Sequence, residues 1–137
     1  HLRAFDQQKN RFADFVLTRI ESARPTQDPI ADHQKLANDV QWNRVVPLQL
    51  VPHPGLKHPA AIETDYGMTQ GHLALNIRAP LAGYALKRWS VDCTPGHTLS
   101  PTSHHLWLRN AQELQGVESA ILAPGFTPDL PGTESGA

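Results

Sequence analysis

Cysteine is almost absent from this 137-residue chain, and Cys93 is the only one. A single thiol excludes an internal disulfide framework and a cysteine-rich metal site, and it fits a reducing cytoplasm. An excess of positive charge is missing as well. Lys and Arg number 12 against 13 Asp and Glu, a formal net charge of -1, which argues against this stretch gripping nucleic acid by bulk charge. No apolar run approaches the roughly 18 residues of a membrane span. No basic stretch followed by an apolar run marks a secretory signal. Methionine occurs once, at Met68, and the first residue is His1. A strand pattern that begins at residue 1 predicts a cut through a folded unit, so the chain is read as the C-terminal fragment of something longer. Apolar residues make up 39% and charged ones 18%, enough for a core in one domain's worth of chain.

Periodicity divides that chain into elements. Residues 1–6 and Phe12–Ile20 alternate in strand fashion around a polar turn, which predicts a β-hairpin over residues 1–20. Two strands alone are marginal in water, so further strands are expected upstream of His1. In this pattern Arg19 shares a face with Phe15 and Leu17, beside the core. Asp28 followed by Pro29 predicts a short helix with Ile30, Leu36 and Val40 on one face. Trp42–Pro52 reads as a strand; Pro47 inside it cannot donate to a ladder, so the strand lies at an edge or joins the sheet only after that residue. A helix over Pro59–Tyr66 ended by Gly67, a strand over His72–Arg78 and a helix opened by Pro80 with Leu81, Tyr84, Ala85 and Trp89 at helical spacing follow. His105–Arg109 and Glu118–Ala123 are candidate strands, and a frayed tail is expected from Pro124. Alternating strands and helices after residue 40 predict a small layered α/β sandwich with helices on one face of the sheet.

Chemistry is thinly signposted. The eight histidines lie in no tight zinc pattern, and Cys93 has no neighbouring base or helix N-terminus to activate it. No metal, cofactor or catalytic residue is assigned. His1, Arg3, Asp14 and Arg19 are polar residues on an otherwise apolar ribbon. They form either an internal salt bridge, Arg19 or Arg3 with Asp14 or Asp6, or a ligand-reading set whose arginine fork suits phosphate or carboxylate. Tyr84, Trp89 and Trp107 are plausible dimer-interface anchors, with ordinary core packing as the alternative.

His1-Leu2-Arg3-Ala4-Phe5-Asp6, followed by Phe12-Ala13-Asp14-Phe15-Val16-Leu17-Thr18-Arg19-Ile20, resembles the end of a WYL domain. That domain is named for a Trp-Tyr-Leu run and closes with a phenylalanine-rich strand ending in Arg-Ile. His1 falls at the Tyr position, a departure from the family that replaces the phenol with an imidazole. Leu2 falls at the Leu position and Arg19 on the family's arginine. Val45-Val46-Pro47-Leu48-Gln49-Leu50-Val51-Pro52-His53-Pro54, Asp65-Tyr66-Gly67-Met68 and Leu81–Asp92 resemble the C-terminal extension of WYL regulators, most of all the branch associated with bacterial phage-defence loci.

The resemblance spans residues 1–125. It implies an α+β chain: the remnant hairpin of an Sm-like WYL barrel (1–24), a linker with a short helix (25–41), a ferredoxin-like α/β sandwich (42–125) and a flexible tail (126–137). The implied function is the ligand-sensing and dimerisation part of a cytoplasmic, non-catalytic transcription regulator. Its DNA-binding winged helix-turn-helix lies outside this chain. The implied partners are a second copy of the protein and an anionic effector such as a nucleotide or oligonucleotide, read by His1, Arg3, Asp14 and Arg19. A purely structural dimerisation module is the alternative, and a small histidine-using metal enzyme a further one.

Overall fold

The computed structural model describes residues 1–128, and the chain forms two compact units, His1–Asn43 and the part from Arg44 onward. Both are built on a sheet, helices are few, and no closed barrel occurs among the described residues, so the fold class is α+β.

In the first unit, β1 (Leu2–Asp6) pairs antiparallel with β2 (Arg11–Phe15), Leu2 opposite Phe15 and Asp6 opposite Arg11. Asp6 builds the turn: its Oδ1 accepts the N–H groups of Gln8 (2.9 Å) and Lys9 (3.2 Å). Asn10 takes the left-handed conformation (φ 51°) that asparagine tolerates. On the face shared by Phe5 and Phe12 the two rings meet edge to face, 5.1 Å between centroids. The hairpin is thus shorter than the sequence pattern predicts. With Leu2 opposite Phe15, β1 offers no residue to face Thr18 or Ile20, and Leu17–Arg19 closes instead into a 3-10 turn. The helix predicted after Asp28–Pro29 does not form. The Asp28 N–H is held by Thr26 Oγ1 (3.1 Å), and Ile30, Leu36 and Val40 are all exposed. Their spacing of six and four leaves the apolar stripe incomplete, and so short a helix is marginal without one. Two 3-10 turns, Asp32–Gln34 and Leu36–Asn38, lead instead into the single-turn helix α1 (Val40–Asn43). Trp42 therefore belongs to a helix and not to the following strand.

The second unit is a four-stranded sheet in the order β4–β3–β6–β5: β3 is Val45–Pro52, β4 Leu73–Arg78, β5 Val91–Asp92 and β6 Leu106–Leu108. β3 pairs antiparallel with both neighbours, while β5 and β6 run parallel. Pro47 thus sits in a central strand. Its carbonyl accepts the Asn110 side-chain N–H (2.9 Å), and Asn110 Oδ1 accepts the Gln49 N–H (2.9 Å). The odd residues of β3 therefore face the β6 side, where pairing with β6 begins only at Leu50. No ladder bond needs a donor at 47, and the Asn110 amide stands in for a strand there.

Val46, Leu48 and Leu50 alternate inward and meet Leu106 and Leu108 of β6, Val91 of β5, and one face of the helices. Helix α2 (Pro59–Asp65) contributes Ile62 and ends before Gly67, whose φ of 61° suits glycine. Helix α3 (Ala79–Arg88) forms as its spacing predicts, but its buried face is made of Ala79, Pro80, Ala82, Gly83 and Leu86, while Leu81 and Trp89 stay exposed. The small residues admit another stretch of backbone: a Cβ on Gly83 would stand 1.7 Å from the carbonyl oxygen of Ser119. Ser119 lies in a 3-10 helix, Glu118–Leu122, where the sequence suggests a strand. Its apolar residues run consecutively, a pattern that does not discriminate. The Ser119 hydroxyl donates to the Ala79 carbonyl (2.6 Å) and accepts the Gly83 N–H (2.9 Å), which fixes the turn against α3. The frayed tail expected from Pro124 does not begin at that residue. The Pro124 carbonyl accepts the Cys93 N–H (2.9 Å) and Phe126 packs on the core. The remainder of the predicted tail, residues 129–137, lies outside the described residues.

Candidate functional site

Three groups of side chains bear on function. The first is the polar set of the hairpin. Arg3, midway along β1, grips Asp39 with two parallel bonds, Nε to Oδ2 (2.5 Å) and Nη2 to Oδ1 (2.8 Å), and reaches Asp14 Oδ1 across the ladder (3.3 Å). Asp39 is 1% exposed and also caps α1, its Oδ1 accepting the Trp42 N–H (3.1 Å). Burial pushes the Asp39 carboxyl up, but the Arg3 guanidinium and the α1 N–H groups outweigh it and hold the carboxyl below its ordinary value. The Asp39 carboxylate in turn raises the Arg3 value against the opposing effect of burial. Of the four predicted residues, Arg3 and Asp14 are therefore brought together, as an internal ion pair. Arg19 is not beside the core; it is exposed on the 3-10 turn, because the strand that would have carried it ends at Phe15. His1 lies exposed at the start of β1. Asp39 was not singled out by the sequence, although an aspartate directly before Val40 is an ordinary helix-cap signal.

The second group is aromatic. Trp89 is 44% exposed at the end of α3 and, with Tyr66, Leu50, Leu73 and Leu106, lines an apolar cavity of about 220 Å³. Trp107 is half-buried between the core residues Leu106 and Leu108, so it projects to the opposite face of the sheet. There its Nε1 donates to the Thr94 carbonyl (2.8 Å) and the His97 ring meets it edge to face at 5.4 Å. Tyr84 is half-buried on α3. Trp89 and Trp107 thus line separate surfaces.

The third group centres on Asp92, which is fully buried. Its Oδ1 accepts the N–H (2.9 Å) and hydroxyl (2.7 Å) of Thr94, and its Oδ2 accepts the Leu99 N–H (3.0 Å) and pairs with His53 Nε2 (2.9 Å). His53 Nδ1 accepts the Gly55 N–H (3.0 Å), so Nε2 carries the ring proton and donates it to Asp92. Burial pushes the Asp92 carboxyl up, and the four donors reverse that and hold it below its ordinary value. With every lone pair engaged, the group ties the end of β3 to the loop after β5 and presents nothing to a substrate. Neighbouring Cys93 is buried, its thiol pushed up to about 12 by burial and by the Asp92 charge, so it supplies no nucleophile. Among the described residues no cluster of His, Cys, Asp or Glu could hold a metal ion, and no helix is long and apolar enough to cross a membrane.

Comparison with known proteins gives these surfaces a context. Residues 45–114, the sheet of the second unit with α2, α3 and the turn after β6, match the family described as "BrxR transcriptional regulator, C-terminal dimerization domain". The chain is 32% identical over 119 residues to the DNA-binding transcriptional repressor CapW of Escherichia coli (strain KTE188). It is 31% identical over 123 residues to that of Stenotrophomonas maltophilia, and 36% over 120 residues to that of Pseudomonas aeruginosa. These matches take in 85%, 84% and 85% of this chain, but only 38% of each repressor, so the chain spans well under half the length of the relatives it matches. The chain therefore belongs to the family of BrxR-type transcriptional regulators, of which it carries the C-terminal dimerisation domain.

Proposed function

We propose that this chain is the ligand-sensing and dimerisation part of a WYL-type DNA-binding transcriptional regulator of phage-defence loci, acting in the cytoplasm and without catalysis. The observation that carries the reading is the family match over residues 45–114. On this reading the hairpin of residues 1–24 belongs to an Sm-like barrel, 25–41 link it onward, and 42–125 form a ferredoxin-like dimerisation sandwich. DNA is contacted only through a winged helix outside this chain. Two copies associate through surfaces that include Tyr84, Trp89 and Trp107. An anionic effector, a nucleotide or oligonucleotide, is read from the hairpin, where His1, Arg3, Asp14 and Arg19 cluster in sequence. It acts by preferring one arrangement of the dimer, since a ligand shifts a conformational equilibrium only by binding its states with different affinity.

Within that set the burden falls on Arg19. Arg3 already spends its fork on Asp39 and Asp14, whereas Arg19 is exposed. The same occupancy of Arg3 favours a second reading, a dimerisation module that senses nothing. Titration of the full-length regulator with oligonucleotides separates the two. The first reading expects saturable binding that releases operator DNA and is lost in Arg19→Ala. Release that is unchanged in Arg19→Ala overturns the role of Arg19, and an absence of any binding leaves the purely structural module.

A further inference from the structure

We infer that the outer edge of β4 pairs antiparallel with β4 of a second copy, so that two sheets join into one. The inference rests on the dimerisation reading above and specifies its geometry. β4 is one of the two terminal strands of its sheet. Gln49 sends its N–H to Asn110 and accepts from the Arg109 N–H, so the odd residues of β3 face β6 and the even ones face β4. Leu73, Leu75 and Ile77, opposite Leu50, Leu48 and Val46, therefore spend their backbone groups on β3. Ala74 and Asn76 turn theirs outward, and both residues are exposed.

Edges of this kind are usually blunted by lysine, proline or a bulge; β4 carries none of these between Leu73 and Ile77. Leu73, Leu75 and Ile77 project to the core face yet are only half-buried, so the apolar layer runs on to the rim. Leu73 also borders the cavity that holds the exposed Tyr66 and Trp89. The edge is complementary to itself. A two-fold axis at Leu75 sets Ala74 opposite Asn76 of the second copy, both with outward backbone groups, and Leu73 opposite Ile77. Arg78 then falls opposite His72 of the second copy and not opposite a second arginine, so the two arginines stay apart.

Sedimentation of the 137-residue chain, of Ala74→Pro and of Ala74→Lys tests this, together with amide exchange of the unaltered protein. Ala74→Pro removes an outward N–H without touching the β3 ladder, and Leu73 is already extended as a residue before proline must be. The expected result is a wild-type dimer, at least tenfold weaker association in both variants with unchanged circular dichroism, and Ala74 and Asn76 amides protected only at concentrations where the dimer forms. A wild-type dimer that persists in both variants, with those two amides exchanging freely, overturns the β4 edge and leaves dimerisation standing. A wild-type chain that is monomeric at every concentration overturns both. If Ala74→Pro loses its fold, Ala74→Lys and the amide exchange decide.

Discussion

The two units of this chain are stabilised by different physics. Every buried apolar side chain among the described residues lies between Val46 and Ala123, in the second unit. In the first, the only buried residue is a carboxylate, Asp39, held by Arg3 and by the helix it caps. Apolar burial is non-directional and shared among many contacts, so it tolerates rearrangement. A bidentate ion pair is directional, and removing either partner leaves the other stranded. The second unit should therefore be most sensitive to volume, and the first to a single charge.

The largest expected effect lies in the second unit. In Gly83→Ala the new methyl would stand within bonding distance of the Ser119 carbonyl, which is backbone and cannot swing away. Separating the 118–122 turn from α3 would also break both bonds of the Ser119 hydroxyl. A loss of about 4 kcal/mol is expected, at or above the upper end for overpacking, read from the urea midpoint. A change below about 1 kcal/mol would mean that the turn is only loosely packed against the helix.

Asp92→Asn tests the exception in the second unit, the one fully buried carboxylate among its described residues. All four partners of Asp92 are donors. An asparagine substitutes two donors for one acceptor oxygen and faces at least one N–H or O–H with another. A loss of about 3 kcal/mol is expected from the unsatisfied groups, in the same urea measurement. Stability close to wild type would show that the loop from Thr94 to Leu99 can turn away to water.

In the first unit Arg3→Ala should cost about 2 kcal/mol, below the usual range for a fully buried pair because Arg3 is partly solvated. It should show as faster amide exchange along the β1–β2 ladder. Arg3→Lys should recover only part of this, since an ammonium cannot reproduce the fork. Acid sharpens the point. Asp39 has its folded value depressed, so its contribution is complete above the ordinary carboxylate value of about 4 and is lost as pH falls through the depressed one. In Arg3→Ala the main cause of that depression is gone, and the acid dependence of ladder protection should flatten. An unchanged acid profile would assign the effect to the α1 cap alone.

The contrast also explains what the sequence made legible. β4, α2 and α3 were readable within a residue or two, because each is short, periodic and bounded by proline or glycine. The WYL-like order of the chain pointed to the regulator family. What escaped were features set by distant partners. The pairing of Arg3 with Asp39 spans 36 positions, and no local pattern announces it. Pro47 looks like an edge residue, yet the amide of Asn110 supplies the missing neighbour from 63 positions away. The buried face of α3 is its small residues and not its large ones, because the Ser119 backbone needs the room. Arg19 was misplaced for a simpler reason: alternation continues in the sequence after the opposing strand has run out.

That misplacement yields the smallest expected effect. Arg19 and Arg3 belong to the same unit and carry the same charge, but Arg19 is exposed on a 3-10 turn with no buried residue in it. Arg19→Ala should change stability by no more than about 0.5 kcal/mol, as is usual for exposed positions, and ladder exchange should match wild type. A functional deficit in Arg19→Ala would then be one of recognition and not of folding, which Arg3→Ala can never establish because it loosens the hairpin itself. Destabilisation comparable to that of Arg3→Ala would mean that Arg19 is part of the hairpin's support. The distinction between a structural and an exposed arginine in this unit would then collapse.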